Sequence, residues 1–162
     1  MKILFVCLGN ICRSPIAKGI MADKTKRLHL DIEVDSAGFE SFHRGDPADP
    51  RSINVASNHG IDLSDHTARM FSVVDFDCFD RIYVMDRNNY EDVMGLARNA
   101  QDKQKVDFIL NLVTPGQNRQ VPDPWYGGKD HFERTFLMLE QACGQLAQEL
   151  LYIERNAKST KP

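Results

Sequence analysis

The order of segments along the chain predicts an α/β fold, with helices layered on a parallel sheet in a single domain. Three observations carry that prediction. Short apolar runs of strand length recur along the sequence. Helix-start signals follow each of them. The alternation itself is the pattern of a parallel sheet covered on both faces. At 162 residues one domain can bury a sizeable core.

Lys2–Val6 reads as the first strand, an apolar run closed by Gly9-Asn10. Ser14-Pro15 then opens a helix to about Leu28, since serine is a good N-cap and proline a good first helical residue. Ile32–Ser36 reads as the second strand. Asp49-Pro50 repeats the cap-and-proline signal for a helix to about Asn58. Arg81–Met85 reads as the third strand, and Asp86 as the cap of a helix through Tyr90, Val93, Met94 and Ala97. Phe108–Leu112 reads as the fourth strand, within a poorly periodic region from Gln101 to Pro122. Thr114-Pro115-Gly116-Gln117 is a turn. The last helix has the plainest pattern. Phe132, Phe136, Leu139, Cys143, Leu146, Leu150 and Ile153 step by four and three, an apolar stripe at helical period. Lys158–Pro162 is expected to be a frayed tail beyond a domain spanning 1–157.

Composition bounds the function. The chain is 42% hydrophobic and 27% charged, with a formal net charge of −3. That offers no basic field for nucleic acid or anionic lipid. No run is long enough to span a bilayer. Lys2 followed by Ile3–Leu8 is too short for a signal peptide and ends without a cleavage pattern. The cysteines, 4 in number at 7, 12, 78 and 143, form neither a secreted framework nor a paired Cys-x2-Cys zinc pattern. The expectation is a reducing, cytoplasmic setting with no metal or cofactor. Cys78 and Cys143 are expected to be structural.

The chemistry concentrates in Val6-Cys7-Leu8-Gly9-Asn10-Ile11-Cys12-Arg13-Ser14-Pro15. A buried strand delivers a thiol into a turn. Gly9 and Asn10 tolerate the left-handed backbone that turns consecutive amides toward an anion. The following helix aims its positive end back at the thiol. Amides, helix and guanidinium all favour the thiolate, the form that attacks. Arg13 can grip two phosphate oxygens with its planar fork. Residues 7–14 therefore read as a phosphate cradle holding a nucleophile.

A second constellation is Asp123-Pro124-Trp125-Tyr126-Gly127-Gly128. Transfer of a phosphoryl group from an ester to a thiolate needs a proton for the leaving oxygen. Asp123 can supply it from a loop stiffened by Pro122 and Pro124. Trp125 and Tyr126 offer flat apolar walls.

Together these motifs resemble the low-molecular-weight protein tyrosine phosphatases. Ser36-Ala37-Gly38, Asp49-Pro50-Arg51, Gly60-Ile61-Asp62-Leu63-Ser64-Asp65-His66, Ala68-Arg69 and Met85-Asp86 match family landmarks in family order, so the likeness covers nearly the whole chain. The resemblance implies a three-layer domain with a four-stranded parallel sheet and a phosphate-binding loop between the first strand and first helix. It implies metal-free hydrolysis of phosphotyrosine proteins and small aryl phosphates through a cysteinyl-phosphate. Cys7 would be the nucleophile, Arg13 the clamp, and Asp123 the acid and then the base. Leu8, Gly9, Asn10, Ile11, Cys12, Arg13 and Ser14 would bind phosphate or other oxyanions. Ser14 would donate to the Cys7 sulfur. Asn10 would hold the strained loop, bonded to Ser36 and His66. A monomer or weak homodimer is expected.

Cys12 occupies the place of a second loop cysteine in the family, which permits a reversible disulfide that spares Cys7 from over-oxidation. The loop Gly38-Phe39-Glu40-Ser41-Phe42-His43 is bulkier than in bacterial relatives. Phe42 stands where they often carry tryptophan, and is expected to wall the substrate cleft with Trp125 and Tyr126. Arsenate reductases share this fold and loop but relay electrons through an additional cysteine pair, and Cys78 has no close partner in sequence. On the cradle alone, a phosphate carrier or inactive binding module stays open; Arg13 and Asp123 argue for turnover.

Overall fold

In the computed structural model the described residues are 1–159. Strand β1 (Lys2–Val6) carries the apolar run Ile3-Leu4-Phe5-Val6, fully buried on both faces. A strand covered on two sides is a continuous apolar run rather than an alternating one. Ile3 and Phe5 enter a core shared with α1 (Arg13–Arg27), α2 (Pro50–Asn58) and α6 (Lys129–Ser159). Leu4 and Val6 enter the opposite core, with Phe71, Phe76 and Phe79 and with Val93 of α4 (Arg87–Leu96). These two cores make the three layers.

β1 pairs in parallel with β2 (Glu33–Ala37) on one side and β3 (Arg81–Val84) on the other; β4 (Val106–Phe108) pairs with β3. The order is β2-β1-β3-β4. The chain moves to one side of β1 for β2 and to the other for β3, so the strand order reverses between β1 and β3. Loops leaving the carboxyl ends of two such strands diverge and open a crevice there. Cys7 follows β1 and Asp86 follows β3, so the topology sends both to that crevice.

The expected caps at Asp49 and Asp86 form. Asp49 accepts from Arg51 N at 2.8 Å with Pro50 in the first turn, and Asp86 Oδ1 accepts from Asn89 N at 2.9 Å. α1 departs from expectation. Its N-cap is Cys12, without a side-chain cap bond, and the helix begins at Arg13. Ser14 lies inside the first turn because its hydroxyl is taken by Cys7 and Asn10.

The fourth strand also differs. Residues 108–112 were expected to be extended, but the strand is Val106–Phe108 and Ile109–Leu112 is a 3-10 turn. Phe108 pairs with Val84, the last residue of β3, so a longer strand would have no partner. Asp107 Oδ1 accepts from Phe108 N (2.8 Å) and Asn111 Nδ2 (2.6 Å) and fastens the turn. A short buried apolar run looks alike as strand or helical turn. Two short helices, α3 (Asp75–Cys78) and α5 (Ala100–Gln104), carried no clear sequence signal.

The α6 stripe is buried from Phe132 to Leu150, with Cys143 fully enclosed. Ile153, its last expected member, is 43% exposed, because the helix has run past the core. Cys78 is likewise exposed rather than structural. The expected tail 158–162 begins at the end of α6, and residues 160–162 lie outside the described residues.

Candidate active site

The loop after β1 is built around Asn10, whose backbone is left-handed at φ 56°. Its side-chain amide donates to Ser14 Oγ (2.8 Å) and to Ser36 Oγ (2.9 Å) at the end of β2. Its Oδ1 accepts from Arg69 N at 2.9 Å, and its carbonyl accepts from His66 Nε2 at 2.7 Å. A β-carbon on Gly38 would lie 2.7 Å from Leu8 O and 2.8 Å from Asn10 N, so only glycine lets β2 approach the loop this closely.

The carbonyls of Leu8, Asn10, Ile11 and Cys12 are engaged. Leu8 O accepts from Phe39 N (2.7 Å) and Glu40 N (3.1 Å), and Ile11 O from Asp49 N (2.8 Å). Cys12 O accepts from Ile16 N and from Ser52 Oγ. The backbone N–H groups of residues 8–12 have no protein acceptor among the described residues. A turn with most of its carbonyls engaged and its amides free is a site for an anion. Cys7, 2% exposed, lies in this turn with Sγ 3.0 Å from Ser14 Oγ. Ser14 Oγ already accepts from Asn10, so its hydroxyl hydrogen is available to the sulfur.

Arg13 is also 2% exposed. A buried charge needs partners. Nη1 donates to Asp86 Oδ2 (2.6 Å) and to Val121 O (2.9 Å), and Nη2 reaches Asp123 Oδ2 at 3.4 Å. Burial opposes its charge, but Cys7, Asp123 and Asp86 outweigh that and raise its pKa. With both hydrogens of Nη1 engaged and one of Nη2 turned to Asp123, Nε and the second hydrogen of Nη2 remain for two oxygens of a ligand. Cys12 is different. Burial first, then the charges of Asp49 and Cys7, push its thiol up to about 12, so it stays protonated.

These groups line a cleft of about 230 Å³. The cradle supplies one side, including Leu8, Gly9 and Ile11. Phe42, His43 and Glu40 form a second side, and Asp123, Trp125 and Tyr126 a third. Asp123 Oδ1 accepts from Trp125 N at 3.1 Å. His43 packs against Phe42 at 4.3 Å and meets Trp125 edge-on at 6.0 Å. Phe42 is 72% and Tyr126 98% exposed, so both stand at the rim. Among the described residues no group of three or more His, Cys, Asp or Glu side chains is arranged to hold a metal ion. No described helix is long and apolar enough to cross a membrane.

Every residue singled out from the sequence for this site is brought to the cleft or to the loop behind it. Several were missed. Asp86 reads in the sequence as a helix cap and, with Met85, as a landmark, yet its second oxygen anchors Arg13. A signal existed: Asp86 follows the carboxyl end of β3 as Cys7 follows that of β1. Arg69 was noted only as a landmark, yet it fixes Asn10 through its backbone while its guanidinium bonds Asp35 and Asp75. Asn10 and Asp35 lie 59 and 34 positions away from it, so no local pattern reports the pinning of the loop.

A parallel sheet flanked by helices that carries a thiol, a guanidinium and a carboxylate to one cleft is the architecture of a cysteine-dependent enzyme acting on an oxyanion. A family model described as low molecular weight phosphotyrosine protein phosphatase matches residues 2–156. A low molecular weight protein-tyrosine-phosphatase of Streptomyces coelicolor is 37% identical over 161 residues, 96% of this chain and 98% of that protein. The crystal structure of a protein tyrosine phosphatase from Entamoeba histolytica, with Hepes in its active site, is 39% identical with a TM-score of 0.87; the match spans 95% of this chain and 99% of that one. Wzb of Vibrio vulnificus in complex with benzylphosphonate matches at 26% identity and TM-score 0.81, over 91% and 97% of the two chains. The chain belongs to the low molecular weight phosphotyrosine protein phosphatase family, and it is an enzyme of that class.

His66 gives this site a pH dependence. Burial lowers its pKa from the ordinary 6.5, more than the bond to the Asn10 carbonyl raises it. Nε2–H serves that carbonyl, while Nδ1 is buried without a partner, so a second proton would find no acceptor. The unfolded chain therefore binds this proton more readily than the folded one. The stability due to the neutral ring is complete above the ordinary value and falls as pH drops below it. Urea unfolding at about pH 7 and about pH 5 is expected to show a larger loss for the wild type than for His66→Gln. An equal or smaller loss in the wild type would contradict this account.

Proposed function

We propose that this phosphatase hydrolyses phosphotyrosine in proteins, and small aryl phosphates, through a phosphorylated Cys7. The observation that carries this reading is the turn of free N–H groups around a buried thiol, closed by Arg13. The loop amides and the Nε–Nη2 edge of Arg13 hold the non-bridging oxygens, where charge spreads during transfer. The Cys7 thiolate attacks phosphorus and the bond to the aryl oxygen breaks. Asp123, protonated, gives its proton to the leaving phenolate. Its carboxylate then takes a proton from water, the oxygen of that water attacks phosphorus, and the sulfur–phosphorus bond breaks. Phosphate leaves and the thiolate returns. Ser14, donating to the sulfur, stabilises the thiolate at both ends of the cycle.

Selectivity follows from the walls. Phe42, Trp125 and Tyr126 at the mouth suit a phosphate carried on a flat ring. The benzylphosphonate bound to Wzb and the Hepes in the Entamoeba enzyme, each an oxyanion on an organic body, support such a ligand here. Phosphoserine is shorter, and its alkoxide is a poorer leaving group. Phosphotyrosine peptides are expected to be turned over in strong preference to phosphoserine peptides of the same sequence; equal rates would refute the aryl reading.

The mechanism is tested by two substitutions. Cys7→Ser is expected to abolish turnover while phosphate still binds, as competition or calorimetry would show. Asp123→Ala is expected to lower kcat/KM about 10²- to 10⁴-fold for phenyl phosphate and far less for p-nitrophenyl phosphate. The same loss on both substrates would remove Asp123 as the acid.

Oxidation gives the cleft a second reaction. Peroxide takes the Cys7 thiolate to a sulfenic acid; the Cys12 sulfur attacks the Cys7 sulfur, giving up its proton to the departing hydroxide, so that a disulfide and water form. Mass spectrometry of peroxide-treated protein is expected to find the Cys7–Cys12 link, reversed by dithiothreitol; sulfinic acid at Cys7 without that link would overturn it.

A further inference from the structure

The segment Asp49-Pro50-Arg51 stands out in the sequence, yet the mechanism above gives Arg51 no task. Its surroundings are specific. Nε and Nη2 donate to Asp49 Oδ1 (3.0 Å) and Oδ2 (2.9 Å), a two-pronged pair. A planar fork gripped along that edge has its remaining nitrogen aimed in a fixed direction. That nitrogen, Nη1, donates to Trp125 O at 2.8 Å and to Gly127 O at 3.4 Å. The guanidinium also lies over Phe132 (4.6 Å to the ring centre) and Trp125 (5.2 Å).

The loop held in this way carries Asp123. Between Val121 N, which donates to Met85 O, and the start of α6, its own backbone bond is Gly127 N to Pro124 O. Arg13 ties the leading half of the loop at Val121 O and Asp123, and Arg51 ties the trailing half at Trp125 and Gly127. Asp49 completes the link, because its backbone N–H donates to Ile11 O in the phosphate cradle at 2.8 Å. A chain of three links therefore runs from the cradle to Asp49, from Asp49 to Arg51, and from Arg51 to the loop of the proton donor.

We infer that Arg51, held by Asp49, is a positioning residue that sets the distance between the Asp123 carboxyl and the cradle, and so controls protonation of the leaving group without touching the substrate. This rests on the reading of Asp123 as the acid. A small misplacement of a catalytic group can cost as much as a hundredfold in rate, and here the cost falls on the proton donor alone. Burial raises the Asp49 pKa, but the bonds to Arg51 outweigh it and lower it, and the bond to Asp49 raises the pKa of Arg51, so both partners stay charged at neutral pH.

The test is a leaving-group series measured as kcat/KM, which reports the step that breaks the phosphorus–oxygen bond. Arg51→Met is expected to lose roughly ten- to a hundredfold on phenyl phosphate and much less on p-nitrophenyl phosphate, with inhibition by inorganic phosphate unchanged. Arg51→Lys keeps the charge but not the fork, and is expected to resemble Arg51→Met. Combined with Asp123→Ala, Arg51→Met should add no further loss, because the group it positions is gone. A uniform loss on all leaving groups, weakened phosphate inhibition, or an additive double variant would overturn the inference. If Asp123→Ala itself lacks leaving-group dependence, the acid assignment fails and the inference with it. If Asp123→Ala shows that dependence and Arg51→Met does not, the inference alone fails. Should Arg51→Met not fold, Asp49→Asn, which keeps the helix cap and loosens the fork, is expected to give the same signature at smaller size; its absence would count against the inference.

Discussion

Asn10 carries the constraint on which the cradle depends. A non-glycine residue at φ 56° sits in a sparsely populated region of backbone space, and such a conformation persists only when its surroundings over-determine it. Here they do. Two hydroxyls, one backbone amide and one imidazole use the polar capacity of Asn10 almost completely. Those partners come from β2, α1 and the segment leading away from α2. Reversing the chain at Asn10 turns the carbonyls of its neighbours out to the body of the protein and leaves their N–H groups to an anion. One strained residue, held from four directions, therefore creates the electrostatic character of the site.

Arg13 and Arg51 show how buried or half-buried charge can organise a structure. Arg13 brings its charge to a position with almost no solvent, which is tolerable because Asp86, Asp123 and a backbone carbonyl answer it. The same pairing aims the unused edge of its fork. Arg51 bonds the other half of the Asp123 loop, with Asp49 setting the direction of its third nitrogen. In both cases a helix-capping aspartate does double duty: one oxygen closes the helix and the other helps to orient a guanidinium. Helix starts, sheet ends and the Asp123 loop are thus mechanically joined. The aromatic rim is built differently, from side chains that are largely exposed and packed on one another.

Much of this was legible in the sequence, for identifiable reasons. β1 and the α6 stripe announce themselves because burial imposes a local pattern, a continuous apolar run in one and a period of four and three in the other. Asp49 and Asp86 announce helices because capping is a contact within three residues. The cradle is legible because strand, turn, arginine and helix start are contiguous. The failures have equally local causes. Ser14 looked like a cap, and its hydroxyl had been claimed by Cys7 and Asn10. Residues 109–112 looked like strand, and the partner strand ends at Val84. Ile153 continued the stripe in register, and the core had already ended.

By itself, then, the sequence determined the alternating α/β order, the position of the thiol in an anion-binding turn, and, through its motifs, the family to which the chain belongs. These rest on interactions between residues near one another in the chain. Tertiary structure alone decided that Asp86 would anchor Arg13, that Arg69 would pin Asn10, and that Arg51 would hold the loop of Asp123. Each of those contacts joins residues 59 to 76 positions apart. They exist because a parallel sheet gathers the carboxyl ends of its strands into one place, whatever lies between them in the chain.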